Sequence, residues 1–226
     1  MKLENTHLAR QLDLIPVDVL NEPITIIGAG AIGSFVTLAL AKMGFENLTV
    51  FDFDKIEIEN MNCQFYRKSD IGEYKVHALK ELVRDFTDVE ITAKNQAYVE
   101  GVFPGIVIMA VDSMKVRRLI WENHKEISFH TKLIIDGRMG GESALIYGMK
   151  PLNQEDIISY EKTLYSDENA VEERCTAKAT MYTVQNITGQ ICKIVKDFLT
   201  SNPYCRVTTW NIAKNAYQTF QSKAVI

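Results

Sequence analysis

Four β-branched residues, Ile24-Thr-Ile-Ile27, run into a glycine-rich turn, and the stretch after it, Ala31 to Met43, is apolar on nearly every side. A short apolar run bounded by turn residues predicts a buried strand, and a longer one that stops at Gly44 predicts a buried helix. Leu48 to Phe51 reads as a second strand and completes a βαβ unit. The alternation continues with helix Lys75 to Phe86, strands Glu90 to Ala93 and Ile106 to Val111, helix Lys115 to Glu126 and strand Leu133 to Ile135. Such alternation predicts an α/β fold: a Rossmann-like, doubly wound, mostly parallel sheet.

The grammar then changes. Ser143 to Gly148 reads as a strand, Lys150 to Lys178 as irregular and charged, and Ala179 to Leu199 as a long helix, with late strands at Val207 to Trp210 and Ala216 to Phe220. These strands are expected to extend the sheet in antiparallel fashion. With no Pro-, Gly- or Ser-rich linker and no repeat, residues 1–226 read as one continuous domain. Two connections, Asp52 to Gly72 and Lys150 to Lys178, exceed the lengths usual in compact domains, and such loops often carry function.

Composition narrows the choices. The 226 residues are 46% apolar, enough for a sizeable core. Charged residues make up 24% with a net charge of -4, and the two signs are interspersed, so a nucleic-acid partner is not indicated. No leader and no apolar run near 18 residues is present, which argues against secretion or membrane insertion and gives a cytoplasmic expectation. Cys63, Cys175, Cys192 and Cys205 contain no C-x-x-C, so neither structural zinc nor a disulfide framework is expected. His124 and His130 are six apart and do not share a helix face as metal ligands would.

In the turn "GAGAIG", Gly28 suits the tight turn, Gly30 a close approach of phosphate to backbone, and Gly33 close helix–strand packing. Asp52, 19 residues after Gly33 at the end of the second strand, is placed to accept ribose hydroxyls. The loop that follows carries amides Asn60, Asn62 and Gln64 and cations Arg67 and Lys75. Amides bond phosphate oxygens without adding charge, and cations offset charge on a leaving pyrophosphate.

On these residues the chain, from Arg10 to about Leu199, resembles the ThiF/MoeB/HesA and ubiquitin-activating-enzyme superfamily of adenylyltransferases. "DFDKIEIENMNCQF" is similar to that family's D-x-D followed by S-N-L-N-R-Q, and "DIGEYKVHAL" to its G-x-x-K-[AV] segment. The resemblance implies ATP and Mg2+ as cofactors, with Asp52 on ribose, Asn60 and Gln64 along the triphosphate and Lys75 on its phosphates. It implies Asp112 as the magnesium-associated aspartate, although Asp112 also stands where it could cap the following helix, and it gives Asp54 a role in supporting the loop. In "HLARQL" it nominates Arg10 to reach the partner subunit's ATP in a homodimer; a surface arginine is the alternative. It further implies a helical arm over 1–22, a nucleotide-binding part over 23–149, a crossover loop over 150–178 and a C-terminal helix with late strands over 179–226.

Two departures stand out. The family's arginine before Gln is Cys63, which cannot make a bidentate phosphate contact; Arg67, four residues on, is the expected replacement. The paired C-x-x-C zinc ligands are absent. Cys175, beside Arg174 and Lys178 and followed by Thr, falls where some members form a thioester, and a bystander thiol is the other reading. The resemblance implies adenylation of the C-terminal glycine of a ubiquitin-like or ThiS/MoaD-like sulfur-carrier protein. Adenylation of a small molecule, a peptide or a tRNA base, an NAD-dependent oxidoreductase, and an inactive nucleotide-binding subunit remain open alternatives.

Overall fold

The computed structural model describes residues 8–125, 130–164 and 179–221. Its strands are β1 (Ile24–Ile27), β2 (Leu48–Phe51), β3 (Thr92–Lys94), β4 (Gly105–Met109), β5 (Thr131–Gly140), β6 (Ser143–Met149), β7 (Cys205–Asn211) and β8 (Ala216–Gln221). The α-helices are α1 (Ala31–Lys42), α2 (Lys75–Thr87), α3 (Met114–His124), α4 (Gln154–Glu161) and α5 (Met181–Leu199). All eight strands form one sheet in the order β3-β2-β1-β4-β5-β6-β7-β8. β1 to β5 run parallel, and β6, β7 and β8 add on antiparallel. The Rossmann-like expectation holds, antiparallel extension included.

Strand order reverses at β1, which has β2 on one side and β4 on the other. In open α/β sheets the crevice outside the carboxyl ends of the strands at such a point is where ligands bind. Both central strands are buried along their whole length, which is why they read as continuous apolar runs. On one face, α1, α2 and α5 enclose a core that includes Val36, Leu40, Leu79, Ile187 and Ile191. On the other, α3 and α4 cover Trp121, Tyr160, Met109 and Met149.

Three expectations need correction. The stretch read as irregular from Lys150 contains α4, whose N-terminus is capped by Asn153 accepting from the Asp156 amide at 3.0 Å. Its apolar stripe is short, chiefly Ile157 and Tyr160, so periodicity alone gives little signal. β5 runs five residues past Ile135 because Asp136 to Gly140 pair with β6. The arm expected to be helical is, over its described part, a set of turns and a short 3-10 helix at Val17–Val19, anchored by buried Leu8, Ile15 and Leu20. Pro16 stops a regular helix there. Among the described residues, no helix is long and apolar enough to cross a membrane.

Candidate active site at the carboxyl ends of β1 and β4

The glycines are fixed by geometry. Gly28 has φ +100°, and a Cβ there would lie 2.5 Å from the Ala110 carbonyl oxygen. A Cβ on Gly33 would lie 1.8 Å from the Gly28 carbonyl oxygen, so only glycine lets α1 start this close to β1. Gly30 faces open space: a Cβ added there would meet no atom of the described residues within 4 Å, which leaves its backbone accessible to a ligand. The turn is tied to the next element as well, since the Ala110 amide donates to the Ile27 carbonyl at 2.8 Å.

Asp52 closes this turn from the β2 side. Its Oδ2 accepts from the Ala29 amide at 2.7 Å and its Oδ1 from the Asp54 amide at 2.8 Å. Burial pushes the Asp52 carboxyl above its ordinary range, against the pull of those two amides and of Lys75. The long loop after β2 folds back on itself through a bridge between Lys55 and Tyr74, with the Ile56 amide donating to the Glu73 carbonyl. That fold places Lys75 at the start of α2, where its Nζ lies 2.9 Å from Asp54 Oδ2 and its side chain is mostly buried. The structure thereby brings the glycine turn, Asp52, Asp54 and Lys75 together.

Within the loop, Asn60 Oδ1 accepts from the Glu57 amide at 2.9 Å, so its oxygen serves the turn and its NH2 is the group suited to a ligand. Gln64 Oε1 is buried with no hydrogen-bond partner among the described residues. An orphaned buried amide is costly, and a bound nucleotide offers either a hydroxyl donor or, with the amide turned over, a phosphate acceptor. Two further residues, not singled out in the sequence, lock the loop to the turn. The Phe65 amide donates to Ser34 Oγ at 3.0 Å, and the Tyr66 hydroxyl donates to the Ala29 carbonyl at 2.6 Å. Burial raises the Tyr66 phenol well above its usual value, so it stays a donor. An aromatic in a polar loop carried no sequence signal for that task.

Cys63 is half-buried, and burial raises its thiol pKa, so it brings no charge to the site. Arg67 is engaged elsewhere. Its Nε lies 3.0 Å from Asp70, and its guanidinium reaches Asp85 at 3.5 Å and Glu81 at 3.9 Å, further along α2 than Lys75. This clasp of loop and helix is not the phosphate contact expected from the sequence. Arg10 is exposed near the far end of α1, where the Gln11 side chain donates to the Met43 carbonyl and Leu8 lies against Gly44. The 12 residues of α1 separate that end from the glycine turn by about 18 Å. Cys175 lies outside the described residues.

Across the crevice, Asp112 follows β4 with its side chain exposed. Ser113, not Asp112, caps α3, its Oγ accepting from the Val116 amide. Behind Asp112 sits a buried network: Arg117 pairs with Asp136 at 2.9 Å, and Asp136 also accepts from Arg138 at 2.7 Å and from the Tyr160 hydroxyl at 2.8 Å. Burial and the Asp136 charge push the Tyr160 phenol up, so it remains a donor. The Arg138 guanidinium lies over the rings of Tyr147 and Tyr160. Arg117 and Asp136 did leave a sequence trace. Met114, Arg117, Ile120, Trp121 and His124 fall on one buried helix face, and Asp136 ends the apolar run of β5.

The donor set fits a nucleotide with a hard cation. Among the described residues no three Asp, Glu, His or Cys side chains cluster as a metal cage. Magnesium commonly binds one or two carboxylates together with substrate phosphates, and Asp112 offers such a carboxylate.

A glycine turn joining a parallel strand to a helix, at the switch point of a doubly wound sheet and closed by a strand-end aspartate, defines a Rossmann-like nucleotide-binding class of protein. Within that class the chain belongs to the ThiF family, whose sequence profile matches residues 10–224. It is 36% identical over 96 residues to the ubiquitin-like modifier-activating enzyme 5 of Caenorhabditis briggsae, covering 42% of this chain and 21% of that protein. The chain thus spans about a fifth of the length of the curated relatives it matches first. In fold it is similar to crystal structures of PaaA (TM-score 0.76, 15% identity, 98% of this chain and 74% of that one) and of E. coli MccB with ATP (TM-score 0.73, 15% identity, 97% and 72%).

Proposed function

We propose that the chain is an ATP-Mg-dependent adenylyltransferase that activates the C-terminal glycine carboxylate of a small ubiquitin-like or sulfur-carrier protein. The observation that carries this reading is the fold-back of the loop from Asp52 to Lys75, which gathers Asp52, Asp54 and Lys75 against the glycine turn. The similarity to a ubiquitin-like modifier-activating enzyme supports the choice of acceptor.

In this scheme the amides of the glycine turn and the N-terminus of α1 receive phosphate oxygens, and Asp52 receives the ribose hydroxyls. A carboxylate oxygen of the acceptor attacks the α-phosphorus as the bond to the bridging oxygen breaks, and pyrophosphate leaves with that electron pair. No proton moves, so positioning and charge stabilisation do the catalytic task. Lys75 exchanges Asp54 for a phosphate oxygen when the triphosphate arrives, and the Gln64 amide gains its missing partner. Asp112 would hold the magnesium ion, which neutralises charge developing on the phosphates. The distance of Arg10 from the glycine turn of its own subunit supports a homodimer in which each Arg10 serves the partner's site. The acyl group then passes to Cys175 as a thioester, with release of AMP, or to an external thiol or sulfur donor.

The test is to incubate the chain with MgATP and a glycine-ending carrier, quench with hydroxylamine, and weigh the carrier by mass spectrometry. A C-terminal hydroxamate that requires ATP and disappears in Lys75→Ala supports the reading; a carrier left unmodified by the unaltered chain contradicts it. A DTT-sensitive enzyme–carrier adduct lost in Cys175→Ala supports the thioester step, and an adduct that survives the substitution rules Cys175 out.

A further inference from the structure

The buried network behind Asp112 takes no part in the scheme above, and its cost asks for a reason. Arg117 lies on the apolar face of α3 and is only 5% exposed, where an aliphatic side chain would fill the space without desolvating a charge. Its fork reaches three groups at once: Nε donates to Asp136 Oδ1 at 2.9 Å, Nη1 to the Asp112 carbonyl at 3.2 Å and Nη2 to the Gly137 carbonyl at 3.3 Å. The guanidinium therefore ties the turn after β4 to the neighbouring strand β5. Asp136 cannot swing away, because it is fully buried and its Oδ2 is taken by Arg138 and Tyr160. Since Ser113 supplies the cap of α3, the Asp112 side chain is not spent on the helix end.

We propose that Arg117 is a positioning residue that fixes the Asp112 backbone, and with it the point at which the Asp112 carboxylate meets the metal of a bound nucleotide. This rests on the adenylation reading. A lysine at 117 keeps a charge for Asp136 but lacks the planar fork that bridges two carbonyls as well. Residues that orient a metal ligand commonly change metal affinity by about 10- to 100-fold when replaced, without touching the metal themselves.

Calorimetric titration with ATP, in Mg2+ and again in EDTA, reads the effect as the ratio of the two affinities. The unaltered chain is expected to bind ATP at least about tenfold more tightly with Mg2+ than in EDTA. Arg117→Lys is expected to match it within about twofold in EDTA but to lose about tenfold of the metal enhancement, as Asp112→Asn does. Arg138→Met removes the other guanidinium on Asp136 and controls for general damage; it is expected to lower the melting temperature yet keep the enhancement. Asp136→Asn, expected to cut the enhancement by about threefold, gives a second route if Arg117→Lys does not fold. Full enhancement in Arg117→Lys, full enhancement in Asp136→Asn, or an equal loss in Arg138→Met overturns the assignment. ATP binding without metal enhancement in the unaltered chain overturns this inference alone, whereas no ATP binding at all overturns the adenylation reading with it.

Discussion

At the scale of the residue, Gly30 and Gly33 separate folding from ligand binding. Adding a methyl at Gly33 drives it into the Gly28 carbonyl, which backbone movement must relieve. Gly33→Ala is expected to lose about 2–4 kcal/mol of stability along with nucleotide binding. At Gly30 the methyl meets no atom of the described residues, so Gly30→Ala should melt within about 1 kcal/mol of the unaltered chain while binding ATP at least about tenfold more weakly. Paired urea melts and ATP titrations check this; equal ATP affinity in Gly30→Ala would mean that phosphate does not approach that backbone. The glycines and Asp52 were legible in the sequence because their spacing from strand ends fixes where they fall, and Lys75 because it is a cation of the long loop whose segment resembles the family's G-x-x-K. Ser34 and Tyr66 were not, because their contacts to Phe65 and Ala29 depend on how the loop closes over the turn.

At the scale of the element, the loop from Asp52 to Gly72 and the end of α3 carry two predictions. Arg67 clasps the loop to α2 through Asp70, Glu81 and Asp85. The pairs with Glu81 and Asp85 are exposed, whereas Asp70 is buried but also accepts from the Arg67 backbone amide, a bond that survives the substitution, so Arg67→Ala should cost about 1–2 kcal/mol and leave ATP affinity within about twofold. A tenfold loss of affinity at unchanged stability would instead restore the phosphate role expected from the gap at Cys63. At the end of α3, His124 is buried with Nδ1 2.7 Å from the Ile120 carbonyl and Nε2 accepting from the Phe103 amide at 3.3 Å. Burial holds its pKa below the ordinary 6.5, so the unfolded chain takes up this proton more readily than the folded one. The stability linked to His124 is therefore complete above about pH 6.5 and falls below it, by up to about 1.4 kcal/mol per pH unit. Urea melts at pH 7.5 and 5.5 should show a smaller difference in His124→Gln than in the unaltered chain; an equal difference would place the titration on other groups. Elements with a long apolar period, such as α5, were readable almost to the residue. α4 was not, because it buries few positions and is held by capping and by Trp121 and Lys125 on Glu161, contacts that no local pattern announces.

At the scale of the whole molecule, the sheet order sets β1 beside β4 and so brings the glycine turn and Asp112 to the two sides of one switch point; the alternating pattern anticipated the doubly wound sheet but not this strand order. What that pattern does not contain is the side-chain network of Arg117, Asp136, Arg138 and Tyr160, assembled from two helices and one strand. The proposed use of Arg10 by a partner subunit belongs to the assembly, and its test does too. If each site borrows Arg10 from the other copy, Arg10→Ala and Lys75→Ala are each inactive alone, while remixed equal amounts regain about a quarter of full activity through heterodimers with one intact site. No recovery after verified subunit exchange would contradict the shared site.

The central claim is that the turn from Gly28 to Gly33 and the loop from Asp52 to Lys75 together hold ATP for attack at its α-phosphorus. Exchange of labelled pyrophosphate into ATP, with and without a glycine-ending carrier, tests this most directly. The account predicts exchange that requires the carrier's terminal carboxylate and falls at least about a hundredfold in Lys75→Ala. Exchange that persists undiminished in Lys75→Ala, or none with any glycine-ending carrier, would contradict it.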